Sequence, residues 1–136
     1  MKITLIIPVK KMAKYHLEAS KEYMKRLSRY CNLHVIKCKS ESEAIKKTPT
    51  TSYIIGVSPS CKTISSEALA KEIADLGISS ISSICFVLTS QEDFLKSCDK
   101  TIALSSLPLS SDLESLVLLE QIYRSYRIIH NQAYHK

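Results

Sequence analysis

A chain of 136 residues, 45% of them hydrophobic, carries a net charge of +6. The size fits one domain over residues 1–136 with enough apolar material for a core. No apolar run reaches the length of a membrane span, and the opening MKITLIIPVKK has no signal-peptide cleavage site. Its five cysteines (Cys31, Cys38, Cys61, Cys85, Cys98) are odd in number and form no C-x-x-C pair, which predicts reduced thiols, a cytoplasmic protein and no metal site.

In chain order, ITLIIPV predicts a first buried strand. Residues 12–31 follow helical periodicity, with Ala19, Tyr23, Met24, Leu27, Tyr30 and Cys31 on one side and Lys14, Lys21, Lys25 and Arg29 on the other. Glu18 and Glu22 border the basic face, where pairing with Lys21 and Lys25 at i,i+3 is expected. LHVIK predicts a second strand, SESEAIKK a short helix or turn, and SYIIGV a third strand. SSEALAKEIADLG has a serine cap and a glutamate soon after it, with Gly77 as the stop. SICFVL is a fourth strand, TIALS a short fifth, and residues 111–130 a last helix.

Strands alternating with helices predict an α/β domain, its mostly parallel sheet covered by helices on both faces. The continuously apolar ITLIIPV and SICFVL suit strands buried on both sides. Ligands of such sheets sit beyond the carboxyl ends of the strands, here the segments after Val57, Leu88 and Leu104.

Charge is unevenly spread. Residues 1–47 hold 12 Lys or Arg against 4 Glu, whereas residues 48–136 hold 7 against 9 acidic residues. A basic half predicts an anionic partner, nucleic acid above all, against the alternative of a solvated surface. In the last helix Leu113, Leu116, Val117, Leu118, Leu119, Ile122, Tyr123, Tyr126, Ile128 and Ile129 leave almost no polar side. Such a helix is expected to bury one face on the sheet and another on a second copy of the chain. The remaining stripe is Glu120, Arg124 and Arg127. It reads either as a Glu120–Arg124 pair on a wet seam or as arginines that reach a phosphate or hold the chain's end.

That end, LLEQIYRSYRIIHNQAYHK, resembles the carboxyl-terminal signature of the SPOUT-class methyltransferases that modify a pseudouridine of large-subunit ribosomal RNA. The pattern there is roughly L-x-E-Q-[LIV]-Y-R-A-[FY]-[KR]-I followed by YH[KR]. The resemblance extends through MKITLI, EYMKRLSRY and SCKTISSE, over a chain shorter than usual between the second strand and SYIIGV. It implies a carboxyl-terminal part threaded into a deep trefoil knot, an exception to the rule that chains avoid knots. It also implies a homodimer, knot loops that bind S-adenosylmethionine, and methyl transfer to ring nitrogen N3 of pseudouridine in an assembled ribosome.

On that resemblance the cofactor contacts are Val57, Thr89, Leu104, Ser105, Ser106, Leu107, Pro108 and Leu109. Tyr134, His135 and Arg124 form the acceptor site: His135 as base, Tyr134 stacking on the target base, Arg124 or Lys136 stabilising the anion or gripping a phosphate. Lys136, Lys21, Lys25 and Arg29 would meet RNA. His16, His34 and His130 are given no role. The chain also departs from the family pattern. The fourth strand runs into Thr89 and Ser90 where the family has a Gly-Gly pair, and Ser111 and Ser115 replace an expected His and Arg. The alternative is therefore a degenerate knotted relative that binds RNA or the ribosome without methyl transfer.

Overall fold

A computed structural model describes residues 1–134. The elements are β1 (Lys2–Ile7), α1 (Lys14–Leu27), β2 (Asn32–Lys37), α2 (Glu41–Lys46), β3 (Tyr53–Val57), α3 (Ser66–Ile78), β4 (Ser83–Leu88), α4 (Glu92–Ser97), β5 (Lys100–Ile102) and α5 (Ser111–Ile129). The five strands form one sheet in the order β2-β1-β4-β3-β5, every pairing parallel.

Strand alternation explains the unbroken apolar runs. Ile3, Leu5 and Ile7 of β1 and Ile84, Phe86 and Leu88 of β4 point into one core, which α1, α3 and α5 close with Leu27, Leu69, Ile73, Leu118 and Ile122. Ile6, Cys85 and Val87 point the other way, to Cys38, Ala44 and Phe94 on the side of α2 and α4. Phe86 is fully buried in the larger core, so truncating it to alanine would cost about 3–5 kcal/mol.

Local chemistry sets the helix ends. Ser65 caps α3 by accepting from the Ala68 N–H, and Ser40 caps α2 by accepting from Glu43. Gly77 is not the stop: α3 runs past it, and the left-handed residue is Ser80, at φ 67°. Ile81 N–H bonds the Leu76 carbonyl and Ser80 N–H that of Gly77, a Schellman closure built on serine. The first helix is shorter than residues 12–31, although Tyr30 and Cys31 still pack on the core from the turn beyond it. The fifth strand ends at Ile102, and Ala103 bridges Thr63 instead. Helix α4 had no periodic signal at six residues. It explains Gly56: a Cβ there would meet Leu95 Cδ2 at 2.6 Å and Cys98 Sγ at 3.0 Å, a close approach only glycine permits.

Candidate functional site

The register sets Val57 opposite both Leu88 and Ile102. Thr89 N–H donates to the Val57 carbonyl at 3.2 Å and Ser58 N–H to that of Ile102 at 3.0 Å. The predicted cofactor segments after β3, β4 and β5 thus start side by side at one edge. Val57 and Thr89 are buried, Leu104 and Leu109 half-buried, and Ser106, Leu107 and Pro108 exposed. Among the described residues, no carbonyl of 104–109 accepts a backbone N–H, and the Leu107 N–H turns to Ser105 Oγ at 3.0 Å. This leaves backbone acceptors unused by helix or sheet beside three leucines.

Thr89 and Ser90, where the resemblance led to an expectation of glycines, have structural partners for their side chains. Thr89 Oγ1 accepts from the Gln91 N–H at 3.1 Å. Ser90 donates from N–H at 2.6 Å and from its hydroxyl at 2.9 Å to Glu41, tying the loop to α2.

The chain's end is held by a second set of residues. Asn131 takes a left-handed conformation (φ 57°); its N–H bonds the Ile128 carbonyl, and Gln132 N–H bonds that of Arg127. This Schellman closure turns the tail back along α5. Arg127 donates to the Ala133 carbonyl at 2.9 Å and to Tyr30 Oη at 3.3 Å, while Tyr30 donates to Gln132 at 2.5 Å. Tyr134 meets the ring of Tyr123 edge-on at 5.0 Å, with its hydroxyl 3.4 Å from that of Tyr23. Arg124 lies over Tyr134 and bonds Glu120, so the pair and the tail contact coexist. Burial, with the Tyr23 contact and the nearby Glu120, pushes the Tyr134 phenol up to about 12. His135 and Lys136 lie outside the described residues.

Sequence reasoning missed this cradle of Tyr23, Tyr30, Tyr123, Tyr126 and Arg127. Its signal was spacing: two tyrosines seven apart before β2, and two three apart on α5. It also missed Glu114, a buried carboxylate with no side-chain partner among the described residues, which burial raises to about 7.

On α1 the expected pairing is corrected. Glu22 accepts from Arg26 at i,i+4 and 3.0 Å. Among the described residues Lys21, Lys25 and Arg29 are in no ion pair; for Lys25 this follows because i,i+4 geometry brings the longer Arg26 guanidinium onto Glu22 first. His16 has a partner after all: its Nδ1 lies 2.9 Å from Asp112. Asp112 is held below the usual carboxylate range, first by the Ser110 hydroxyl and also by His16.

The His16–Asp112 contact joins the starts of α1 and α5, and Tyr30 stacks on Tyr126 near their ends. The two helices therefore run in the same direction. Loop 104–109 precedes α5, whereas the tail docks around Arg124. Thirteen residues separate Ser111 from Arg124, roughly 20 Å along the helix. Within one chain, the candidate cofactor edge and the tail cradle are two separate places.

The sequence matches known proteins along nearly its whole length. Residues 1–135 match the sequence model of a family described as "Predicted SPOUT methyltransferase". The protein named ribosomal RNA large subunit methyltransferase H 1 from Thermoanaerobacter sp. (strain X514) is 38% identical over 126 residues, 93% of this chain and 92% of its own. Ribosomal RNA large subunit methyltransferase H of Clostridioides difficile (strain 630) is 33% identical over an alignment of 159 positions covering all of both chains. The chain belongs to this family of SPOUT methyltransferases. No helix among the described residues is long and apolar enough to cross a membrane.

Proposed function

We propose that the protein, acting as one unit in the cytoplasm, methylates ring nitrogen N3 of a pseudouridine in large-subunit ribosomal RNA, using S-adenosylmethionine. The observation that carries this reading is the tail, held through residues 132–134 by Arg127, Arg124 and three tyrosines although it lies beyond the last helix. A segment beyond the last helix usually frays unless specific contacts hold it.

The cofactor supplies an activated sulfonium methyl. Residues 104–109 would hold it with their unpaired carbonyls and leucines, next to Val57 and Thr89. The chain's own task is to align the acceptor nitrogen and assist loss of its proton. Tyr134, neutral at physiological pH, presents a ring to the target base. Arg124 would stabilise negative charge on it, and His135 is the proposed base. Lys21, Lys25, Arg29 and Lys136 would meet the RNA.

The separation of cofactor edge and tail supports a homodimer. Two copies packed through the half-buried face of α5 in opposite directions would bring the tail of one to the loops of the other. The trefoil knot is part of the same proposal. Thr89 and Ser90 favour a second reading, an RNA-binding relative without methyl transfer, because side chains stand where the family pattern has glycines.

The test is calorimetry with S-adenosylmethionine, followed by mass spectrometry of nucleosides from large ribosomal subunits that lack the modification. Methylated pseudouridine is expected. Subunits that are bound yet unmethylated would select the second reading.

A further inference from the structure

Between the later halves of α1 and α5 lies an open pocket of about 310 Å³. Four cations line it: Lys25, Arg26 and Arg29 from α1 and the turn after it, and Arg127 from α5. Glu22 is the one carboxylate, and it is already bonded to Arg26 at 3.0 Å. Arg26 also lies 5.6 Å from the centroid of Tyr123, whose ring forms one wall. Lys25 and Arg29 stand one turn apart, where like charges repel. Among the described residues neither has an ion-pair partner. The pocket is therefore built, wet and three charges in excess, the setting in which a guanidinium and an ammonium grip a phosphate.

The pocket adjoins the tail. Arg127 lines it and also donates to the Ala133 carbonyl at 2.9 Å. Tyr123 lines it and packs against Tyr134 at 5.0 Å. We infer that this pocket binds a backbone phosphate of the RNA flanking the nucleotide presented to the tail, with Lys25 and Arg29 as its grip and Arg127 coupling the bound phosphate to the tail's position. The inference rests on the proposed reading of the tail as the acceptor site. It assigns the excess charge of α1 to one specific contact instead of a diffuse basic face.

The experiment is binding of isolated large ribosomal subunits across a salt series, read together with methyl transfer. Lys25→Ala/Arg29→Ala removes two exposed charges and leaves the core untouched; its thermal melt serves as the folding check. Lys46→Ala/Lys96→Ala removes two exposed charges from α2 and α4 on the other face of the sheet. Each phosphate contact contributes roughly 0.7–0.9 to the slope of log affinity against log salt. The pocket variant is expected to lower that slope by about 1 to 2 and to weaken binding at low salt at least tenfold. The control variant should match the parent, and Lys25→Arg should keep the slope. Equal slopes for the pocket and control variants overturn the inference while leaving the methyltransferase reading standing. A pocket-dependent slope in a protein that transfers no methyl group supports the pocket and removes that reading. A parent that binds no subunit at any salt overturns both.

Discussion

The guanidinium of Arg124 lies 4.9 Å from the centroid of the Tyr134 ring, while its Nη2 donates to Glu120 at 2.9 Å. One side chain thereby joins α5 to the end of the chain. The Glu120 hydrogen bond raises the arginine's already high pKa further, so it is charged at every working pH. A cation over an aromatic face contributes about 0.5–2 kcal/mol, more as the site dries. Arg124→Ala should release the tail, increase hydrogen exchange of residues 131–134, and reduce methyl transfer at least a hundredfold with little change in melting temperature. Arg124→Lys should recover part of the rate, since it keeps the charge but loses the planar fork. Unchanged exchange in the alanine variant would show that Arg127 and the tyrosines hold the tail without it.

Dimerisation is testable on α5. Leu113, Leu116, Val117 and Ile128 are only half-buried in the single chain, and Ile129 is 36% exposed. Sedimentation of the parent at micromolar concentration should give twice the chain mass, and Val117→Glu should give a folded monomer. A stable, unaggregated monomeric parent would remove the dimer.

Restoring the family's glycines should not improve cofactor binding. Thr89→Gly/Ser90→Gly removes the Thr89 bond to the Gln91 N–H and the hydroxyl bond of Ser90 to Glu41. It also frees two residues of the unfolded chain, for a total cost of about 2 kcal/mol. Differential scanning calorimetry should find the variant less stable, and titration calorimetry should find no gain in S-adenosylmethionine affinity. Tighter binding would mean that the two side chains crowd the cofactor.

Glu114 predicts a pH dependence. Burial raises its carboxyl to about 7 from an ordinary 4.5. Between these values the folded chain holds a proton that the unfolded chain has released. The group's contribution is therefore most favourable below about pH 4.5, and it is lost as pH rises towards 7. Glu114→Gln, which cannot ionise, should be more stable than the parent at pH 8, by on the order of 3 kcal/mol, and nearly equal to it at pH 4. Melts of the two proteins across that range check the prediction; a constant difference would mean that Glu114 gains a partner in the assembled protein.

Much of the fold was legible because it follows from short-range chemistry. The boundaries of SICFVL were right to the residue: an apolar run ends where polar side chains begin, and a parallel sheet covered on both faces demands such a run. The Ser65 cap was readable for the same reason, its bond spanning three residues. Gly77 misled because a left-handed position favours glycine but does not require it, and Ser80 fills it at some cost. Helix α4 was invisible because its six residues carry no period and, unlike α2, no side chain caps its start, although its contact with Gly56 is why that glycine is needed.

For the candidate site, the sequence by itself determined which groups are available: the signature of the last helix, the leucine-rich loop after β5, the basic first helix and the terminal tyrosine. Their placement was decided by tertiary structure. Only the parallel course of α1 and α5 brings Tyr23 and Tyr30 to Tyr123, Tyr126 and Tyr134, across about a hundred residues of chain. The same packing sets the tail roughly 20 Å along α5 from the loop that precedes the helix. Side-chain type and local periodicity act over a few bonds and can be read along the chain. The distance between two ends of a helix, and the neighbour that each end meets, are fixed by how whole elements pack.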